Sequence, residues 1–244
     1  MSYSVILPTL NEKGHILNLI KSISDIFKKR NLKYEIIVVD DHSTDGTIEI
    51  IQEFKEKNNF LKFILRKSLN KNLAKSLNEG IKSSENEYII WMDADFQHPP
   101  KYINKFIEVS KYYDAIISSR FLEGSNRYFH NEKLNKKDIN ENQSYFFNKI
   151  CNFFLYKDIT DYTSGFICIK KYIFKDYSLK GYYGDYFVNL ITHLKKNNIG
   201  TLEIPFQDDI RASGESKTVV NINFKYIHTC IRYLFTFLIN FLKK

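Results

Sequence analysis

Short strands of β-branched residues alternate with amphipathic segments over residues 1–120, and this alternation constrains the fold more than any other feature. The pattern predicts strands at Ser4–Thr9, Tyr34–Val39, Leu61–Leu65, Glu87–Met92 and Asp114–Ser119. Apolar residues at helical spacing predict helices around 16–27, over Thr44–Asn58, over Asn72–Ser84 and after the Pro99–Pro100 pair. Strands that alternate with helices build βαβ units, whose strands run parallel. We therefore expect an α/β fold in which helices flank a mostly parallel sheet.

The polar residues that follow each strand are the first candidates for a ligand site, because open parallel sheets bind ligands beside the carboxyl ends of their strands. The second strand runs into Asp40 and Asp41, and the fourth runs into Asp93-Ala-Asp95. Two carboxylates at i and i+2 after a buried strand can meet one hard cation. Mg²⁺ and Mn²⁺ prefer such oxygen ligands.

Helix capping is the structural alternative for several of these polar residues. Thr44 or Asp45 would cap the helix after the second strand, and Asn11 or Glu12 the helix after the first. Capping does not account for both of the adjacent acids that end the second strand.

Two basic segments are suited to phosphate. Arg120 follows the fifth strand and is expected beside the acidic edge of the sheet. The run Arg211-Ala-Ser-Gly-Glu-Ser-Lys217 combines two cations with small residues, which suits a phosphate clamp. A solvated basic loop is the structural alternative for each segment.

Charge and cysteine content narrow the class of protein. Lys and Arg number 36 against 28 acids, a net charge of +8, which favours nucleic acid, anionic lipid or phosphorylated substrates. No nucleic-acid-binding signature accompanies the charge, and acids at the strand ends would repel a phosphate backbone, so we expect no nucleic acid partner. A nucleotidyltransferase usually has a Gly-rich loop where this chain has Pro8-Thr-Leu-Asn11. The three cysteines are an odd number and have no metal-type spacing, so neither a disulfide framework nor a zinc site follows, which favours a reducing compartment.

Six segments, in this order, resemble family 2 glycosyltransferases, and most of all the dolichol-phosphate mannose synthase branch. They are Val5-Ile-Leu-Pro-Thr-Leu-Asn-Glu12, Val38-Val-Asp-Asp-His-Ser-Thr-Asp-Gly-Thr47, Met92-Asp-Ala-Asp-Phe-Gln-His-Pro-Pro100, Ser119-Arg-Phe121, Ser164-Gly-Phe166 and Arg211-Ala-Ser-Gly-Glu-Ser-Lys217. The third and the last are the most specific, and the resemblance spans residues 4 to 217. It implies a nucleotide-binding domain of the GT-A type, which is similar to a Rossmann fold.

The resemblance also implies roles for individual residues. It places the donor nucleotide against Pro8, Glu12, Val39, Asp41 and Asp93. It implies that Mg²⁺ or Mn²⁺ is held by Asp95 and Gln97, with Asp93 at the ribose or at metal-bound water. It implies that the donor diphosphate or the acceptor phosphate is faced by Arg120, Ser164, Arg211 and Lys217, which act with Asp93 as the catalytic groups.

The implied reaction is inverting transfer of a hexose from a nucleotide sugar, with mannose from GDP-mannose as the expected donor, onto a polyprenyl or dolichyl phosphate. One alternative is a family 2 transferase that uses UDP-glucose or another donor with a hydroxyl acceptor, which needs a carboxylate base. Asp161 precedes the Thr163-Ser-Gly165 turn and is expected to be structural or to position the acceptor. Family members usually carry an Arg within the segment 142–152, where this chain has none, so an inactive relative that only binds ligands is another alternative.

The segment Phe224–Leu242 is rich in aromatic and aliphatic residues, is interrupted by Lys225, His228 and Arg232, and precedes Lys243-Lys244. Such a segment predicts a basic amphipathic helix in an anionic membrane interface, with a core helix as the structural alternative. It is short and charged for a membrane span. We therefore expect a catalytic domain over 1–217, an acceptor loop at about 122–145 and an interfacial helix over 218–244. The expected location is the cytoplasmic side of a membrane, peripheral or monotopic, where an anchoring partner protein would help to hold the enzyme.

Overall fold

The structure is a computed structural model that describes residues 1–125, 139–207 and 224–242. Its strands are β1 (Ser2–Thr9), β2 (Lys33–Asp40), β3 (Leu61–Leu65), β4 (Tyr88–Trp91), β5 (Ala115–Ser119), β6 (Ile167–Lys170) and β7 (Thr201–Pro205). They form one sheet in the order β3-β2-β1-β4-β6-β5-β7. Strand β6 runs antiparallel to β4 and β5, and the other neighbouring strands are parallel. The expected mostly parallel sheet is confirmed.

Helices cover both faces of this sheet. They are α1 (Ile16–Lys29), α2 (Thr47–Glu56), α3 (Leu73–Ser83), α4 (Ile103–Val109), α5 (Ile139–Phe154), α6 (Asp185–Lys196) and α7 (Phe224–Leu242), with single 3-10 turns at Pro100–Tyr102 and Lys171–Phe174. The predicted start of α2 at Thr44 is wrong. The helix begins at Thr47 because Gly46 has a left-handed φ of 93°, which interrupts helical backbone before that residue.

Alternate residues of the central strands enter two hydrophobic layers. Val5 and Leu7 of β1 pack with α1, α2 and α4, whereas Ile6 packs with α3, α5 and α6. Helix α3 approaches β1 closely, since a Cβ on Gly80 would lie 2.5 Å from Ile6 Cγ2. Burial on both faces explains the nearly continuous apolar strands in the sequence.

The topology brings the ends of five chain segments together at one edge of the sheet, the edge formed by the carboxyl ends of its parallel strands. The carboxyl ends of β1, β2 and β4 lie there because these strands are parallel and adjacent. Strand β5 points the same way, since two antiparallel pairings separate it from β4. The reversed β6 begins at this edge, so the residues that precede it also lie there.

Candidate active site

The loops that follow β1 and β2 are joined by hydrogen bonds. Asn11, which has a left-handed φ of 58°, donates its backbone N–H to Ser43 Oγ at 2.7 Å, and its Oδ1 accepts from the Thr44 N–H at 2.8 Å. The Glu12 N–H donates to Thr47 Oγ1 at 2.9 Å. The two loops therefore form one shelf beside the carboxyl ends of β1 and β2.

Asp45 is part of this shelf. Its carboxylate accepts the N–H groups of Lys13 at 3.1 Å and Thr47 at 3.0 Å, and the Thr47 hydroxyl at 2.5 Å. Burial raises the pKa of Asp45, but the hydrogen bonds from Thr47 and Lys13 outweigh burial and lower it. Asp45 thus holds Thr47, the first residue of α2. The N-cap position itself is Gly46, which has no side-chain cap, so the expectation that Thr44 or Asp45 occupies the cap is wrong.

Asp40 and Asp41 have separate partners. The carboxylate of Asp40, fully buried, accepts the Ser43 N–H at 2.7 Å and its hydroxyl at 2.6 Å. That of Asp41 accepts Arg66 Nη1 at 2.5 Å and the Asn72 N–H at 3.0 Å. Arg66 is almost completely buried, so this pair is a fixed internal feature at the edge of the sheet.

The remaining residues expected at the nucleotide lie on β1, β2 and the shelf. Pro8 and Val39 are register partners at the ends of β1 and β2. The Val39 side chain is fully buried in the core, so a nucleotide would meet its backbone. Glu12 is buried, and its Oε2 lies 2.7 Å from His15 Nε2. The Glu12 carbonyl accepts the Ile16 N–H at 3.0 Å. The N-cap residue of α1 is His15 and its side chain forms no capping hydrogen bond, so the expectation that Asn11 or Glu12 caps this helix is wrong.

The turn after β4 holds the acidic pair. Asp93 is about half exposed, at 47% of its side-chain surface, and its N–H donates to His98 Nδ1 at 2.9 Å. Because Nδ1 accepts, the neutral imidazole carries its proton on Nε2, which lies 3.9 Å from Asp93 Oδ2. Asp95 is buried, and its Oδ1 accepts the Gln97 N–H at 3.0 Å across Phe96, which has a left-handed φ of 66°. The turn therefore brings together carboxylate and amide oxygen atoms, which are possible metal ligands, at the edge of the sheet.

The oxygen atoms of this turn are suitable ligands for a hard divalent cation. Within the described ranges, no group of three His, Cys, Asp or Glu side chains is arranged to hold a metal alone. Two carboxylates and an amide suit Mg²⁺, which usually keeps waters and shares oxygens of a substrate phosphate. The residues expected to bind metal, Asp95 and Gln97, lie in this turn.

Arg120 lies in a bidentate ion pair at the end of β5. Its Nε and Nη2 donate to the two Asp161 oxygens at 2.8 and 2.9 Å, and Nη2 donates to Thr163 Oγ1 at 2.8 Å. Burial raises the pKa of Asp161, but the Arg120 guanidinium outweighs burial and lowers it. Asp161 therefore remains ionised and orients Arg120, as expected for a structural or positioning residue.

A second carboxylate fixes the Asp161 turn from β7. Glu203 Oε2 accepts the Thr160 N–H at 2.8 Å and its hydroxyl at 2.9 Å, and Oε1 accepts the Asp161 N–H at 3.0 Å. Burial raises the pKa of Glu203 to about 7, with a smaller contribution from the Asp161 charge, against the lowering effect of these hydrogen bonds. Sequence reasoning missed Glu203 because one acid in a short strand forms no motif.

The Ser164–Phe166 turn packs on the acidic turn. Ser164 is buried and its Oγ accepts the Phe166 N–H at 3.3 Å, while the Phe166 ring stacks on His98 with centroids 5.0 Å apart. Gly165 has a left-handed φ of 71°, and a Cβ there would lie 3.7 Å from Tyr186 Oη. Tyr186 in turn accepts a hydrogen bond from Trp91 Nε1 at 3.0 Å. Sequence reasoning missed this tyrosine, which belongs to α6 and carries no local signal.

Asp93, Asp95, Gln97, Arg120 and Ser164 thus lie on neighbouring segments of one sheet edge. Arg211 and Lys217, the other expected phosphate contacts, lie outside the described residues, as does the segment 126–138 of the expected acceptor loop. An acidic turn beside a fixed arginine can bind a cation and phosphate groups together.

Comparisons with known proteins agree with this geometry. The profile of the family described as "Glycosyl transferase family 2" matches residues 4–178. The dolichol-phosphate mannosyltransferase of Pyrococcus furiosus is 32% identical over 236 residues, which cover 95% of this chain and 63% of that protein. This chain therefore spans less than two thirds of the length of that relative. The protein of the same name from Mycosarcoma maydis is 25% identical over 244 residues, which cover 97% of this chain and 80% of that protein.

Solved structures support the fold. The glucosyl-3-phosphoglycerate synthase of Mycobacterium tuberculosis, in complex with Mn²⁺, UDP-glucose and phosphoglyceric acid, superposes with a TM-score of 0.70 at 13% identity, covering 98% of this chain and 79% of that one. The expected fold of the GT-A type is confirmed. Since the family profile covers most of its residues, this chain belongs to glycosyl transferase family 2.

Proposed function

We propose that this chain catalyses inverting transfer of a hexose from a nucleotide sugar to a polyprenyl phosphate, with mannose from GDP-mannose as the expected donor. The observation that carries the proposal is the acidic Asp93–Gln97 turn on the same sheet edge as Arg120. The relatives named dolichol-phosphate mannosyltransferase support the choice of acceptor and sugar.

The nucleotide of the donor would bind across the shelf, in contact with Pro8, Glu12, Val39 and Asp41, and its ribose would lie near Asp93. The ion pair between Asp41 and Arg66 supports this role because it holds the carboxylate in one orientation. A preorganised site of this kind spends little free energy on ordering its own side chains when the donor binds.

Asp95 and Gln97 would hold Mg²⁺ or Mn²⁺, with Asp93 beside them. The mycobacterial structure that contains Mn²⁺ and UDP-glucose supports a divalent ion in this fold. When bound, such an ion neutralises negative charge that develops on a departing nucleoside diphosphate.

The acceptor would bind on the side of Arg120 and Ser164, with Arg211 and Lys217 as further phosphate contacts. A phosphate monoester is already anionic near neutrality, so it attacks the anomeric carbon without a strong general base. Asp161, the acid next to Arg120, is fully buried and bound to that arginine through both oxygens, so it is not placed to take a proton. This arrangement favours a phosphate acceptor over a hydroxyl acceptor. Attack from the face opposite the diphosphate inverts the anomeric carbon.

An exposed apolar surface formed by α5 and α7 supports a membrane location. Its exposed side chains are Phe146, Ile150, Phe153, Phe154, Ile231, Leu234, Phe235, Leu238, Ile239, Phe241 and Leu242. The two helices meet within this surface, since the Phe154 ring lies 5.8 Å from that of Phe241. Lys149 and Lys157 lie next to it, over the rings of Tyr145 and Phe153.

Apolar helices with cationic flanks suit an anionic membrane interface. No helix in the described part of the chain is long and apolar enough to cross a bilayer. We propose that the enzyme lies on the cytoplasmic side of a membrane, peripheral or monotopic, held by this surface alone or together with an anchoring partner protein.

The test is a transfer assay with purified protein, Mg²⁺ or Mn²⁺, a polyprenyl phosphate and a panel of labelled nucleotide sugars. We expect label in an organic-extractable, mild-acid-labile product. Asp95→Ala should abolish transfer, whereas Asp25→Ala, an exposed acid on α1, should not. Label that appears only in free sugar or in a soluble glycan would reject the lipid-phosphate acceptor.

A further inference from the structure

Asn148 is a buried polar residue on the inner side of α5. Its side chain is fully buried, whereas Phe146 and Ile150, two positions before and after it, are exposed. Its Nδ2 donates to the Ser144 carbonyl at 2.8 Å, and its Oδ1 accepts the Tyr162 N–H at 2.5 Å. Because a carbonyl faces one end of the amide and an N–H faces the other, the orientation of the amide is fixed.

The same amide reaches the turn that holds Arg120. Asn148 Nδ2 donates to Thr163 Oγ1 at 2.9 Å, and Arg120 Nη2 donates to the same oxygen at 2.8 Å. Amide and guanidinium nitrogens are donors only, so the Thr163 oxygen accepts from both. Two acceptors compete for the Thr163 proton, since Asp161 Oδ1 and Ser144 Oγ each lie 3.2 Å from the hydroxyl oxygen. The ionised carboxylate is the stronger acceptor, so the proton points to Asp161.

These contacts connect α5 to the orientation of Arg120. Asp161 accepts hydrogen bonds from Nε and Nη2 of the guanidinium, and Thr163 accepts one from Nη2. The guanidinium is planar, so acceptors at neighbouring nitrogens leave it little freedom to rotate. Asn148 in turn holds the turn at two points, the Tyr162 N–H and the Thr163 hydroxyl. Loss of the Asn148 amide would therefore free the Thr163 oxygen that helps to fix Arg120.

We propose that Asn148 and Thr163 position the Arg120 guanidinium for the phosphate of the lipid acceptor. This inference rests on the proposed function, in which Arg120 contacts that phosphate and the other two residues act through it. A guanidinium that is already held in one orientation loses little freedom when the phosphate binds. Helix α5 would then serve the acceptor on both sides, with exposed apolar side chains toward the lipid surface and Asn148 toward the phosphate site.

The first test compares Asn148→Ala with wild type in the transfer assay. We expect the KM for polyprenyl phosphate to rise about fivefold, the effect of losing one neutral hydrogen bond, while the KM for the nucleotide sugar stays within about twofold of wild type. A residue that only stabilises the fold would lower kcat through loss of folded enzyme and would leave the acceptor KM unchanged. That second result would overturn the inference.

Asn152→Ala is the matched control for this test. Asn152 lies one turn later on α5, and its Nδ2 donates to the Lys157 and Ile159 carbonyls at 2.8 and 2.7 Å. The substitution thus removes an amide that also joins α5 to the following loop, but one that does not contact the turn at Arg120. We expect it to lower stability and to leave the acceptor KM unchanged.

A pair of substitutions at Thr163 decides the question even where Asn148→Ala does not fold. Thr163→Val keeps the shape of the side chain and removes the shared hydroxyl, whereas Thr163→Ser keeps the hydroxyl. We expect Thr163→Val to raise the acceptor KM about tenfold, because the lost contact is to a charged group, and Thr163→Ser to remain close to wild type. Equal acceptor KM values in the two variants would overturn the inference.

A double-substitution cycle tests whether Asn148 acts through Arg120. Arg120→Lys keeps the charge but loses the planar fork that contacts Asp161 and Thr163 together. In the Arg120→Lys background, Asn148→Ala should cause no further rise in the acceptor KM, because the contact that it supports is already lost. Effects that simply multiply would show that Asn148 acts independently of Arg120, and they would overturn the inference.

The outcome for wild type separates failure of this inference from failure of the proposed function. An unchanged acceptor KM in Asn148→Ala, in an enzyme whose wild type transfers sugar to polyprenyl phosphate, overturns the inference alone. Absence of lipid transfer by wild type overturns the proposed function, and the inference with it.

Discussion

Glu203 provides a quantitative prediction about stability and pH. Its carboxylate accepts three hydrogen bonds from residues 160–161, yet burial raises its pKa from an ordinary value of 4.5 to about 7. The folded state therefore favours the protonated acid. This contribution to stability is fully present below about pH 4.5, and it is lost as the pH rises through about 7.

The magnitude follows from the two pKa values. A difference of one pKa unit corresponds to 1.36 kcal/mol, so a rise from 4.5 to about 7 corresponds to about 3 kcal/mol. Glu203→Gln replaces the carboxyl group with an amide that does not titrate. The free energy of unfolding of wild type, minus that of the variant, should fall by about 3 kcal/mol between pH 4.5 and pH 8.

Urea denaturation at several pH values measures this difference. Trp91 is the single tryptophan and is buried, so its fluorescence reports unfolding of the core. Glu56→Gln, an exposed acid on α2, is the control and should follow wild type. Parallel pH profiles for wild type and Glu203→Gln would refute the reasoning, because they would show that the hydrogen bonds from Thr160 and Asp161 fully offset burial.

Three further perturbations test other parts of the structure. Asp161→Asn leaves Arg120 without its buried counter-charge, and we expect urea denaturation to show a loss of about 3–5 kcal/mol in the free energy of unfolding. Gly80→Ala places a Cβ 2.5 Å from a methyl group of β1, and it should lower stability in thermal unfolding by about 1–3 kcal/mol. The double substitution of Leu234 and Phe235 by Ser should weaken sedimentation with anionic vesicles by tenfold or more, because burial of each side chain is worth about 1.5–3 kcal/mol, and should leave nucleotide binding unchanged. Vesicle binding equal to that of wild type would place the membrane contact elsewhere.

The sheet could be predicted because its signal is local. Strands such as β1 and β2 are buried on both faces, so their β-branched runs are visible in the sequence, and the turn Asp93–Gln97 follows directly from one of them. The reversed direction of β6 could not be predicted, because an apolar run looks the same in either direction. Contacts between distant segments could not be predicted from the sequence either. Trp91 and Tyr186 are 95 positions apart, and Glu203 is 42 positions from Asp161. Side-chain periodicity carries no information about such pairs.

The reversed strand β6 has a consequence for how acceptor recognition can change during evolution. Because β5 ends and β6 begins at the same edge of the sheet, the segment 120–166 between them starts and finishes at one place. The Arg120–Asp161 ion pair joins residues near its two ends. Lengthening such a closed loop is inexpensive, about 0.6 kcal/mol for each doubling of its length. Insertions there would leave the register of every strand intact, so under the proposed function a new acceptor could be accommodated without rebuilding the residues proposed to bind the donor.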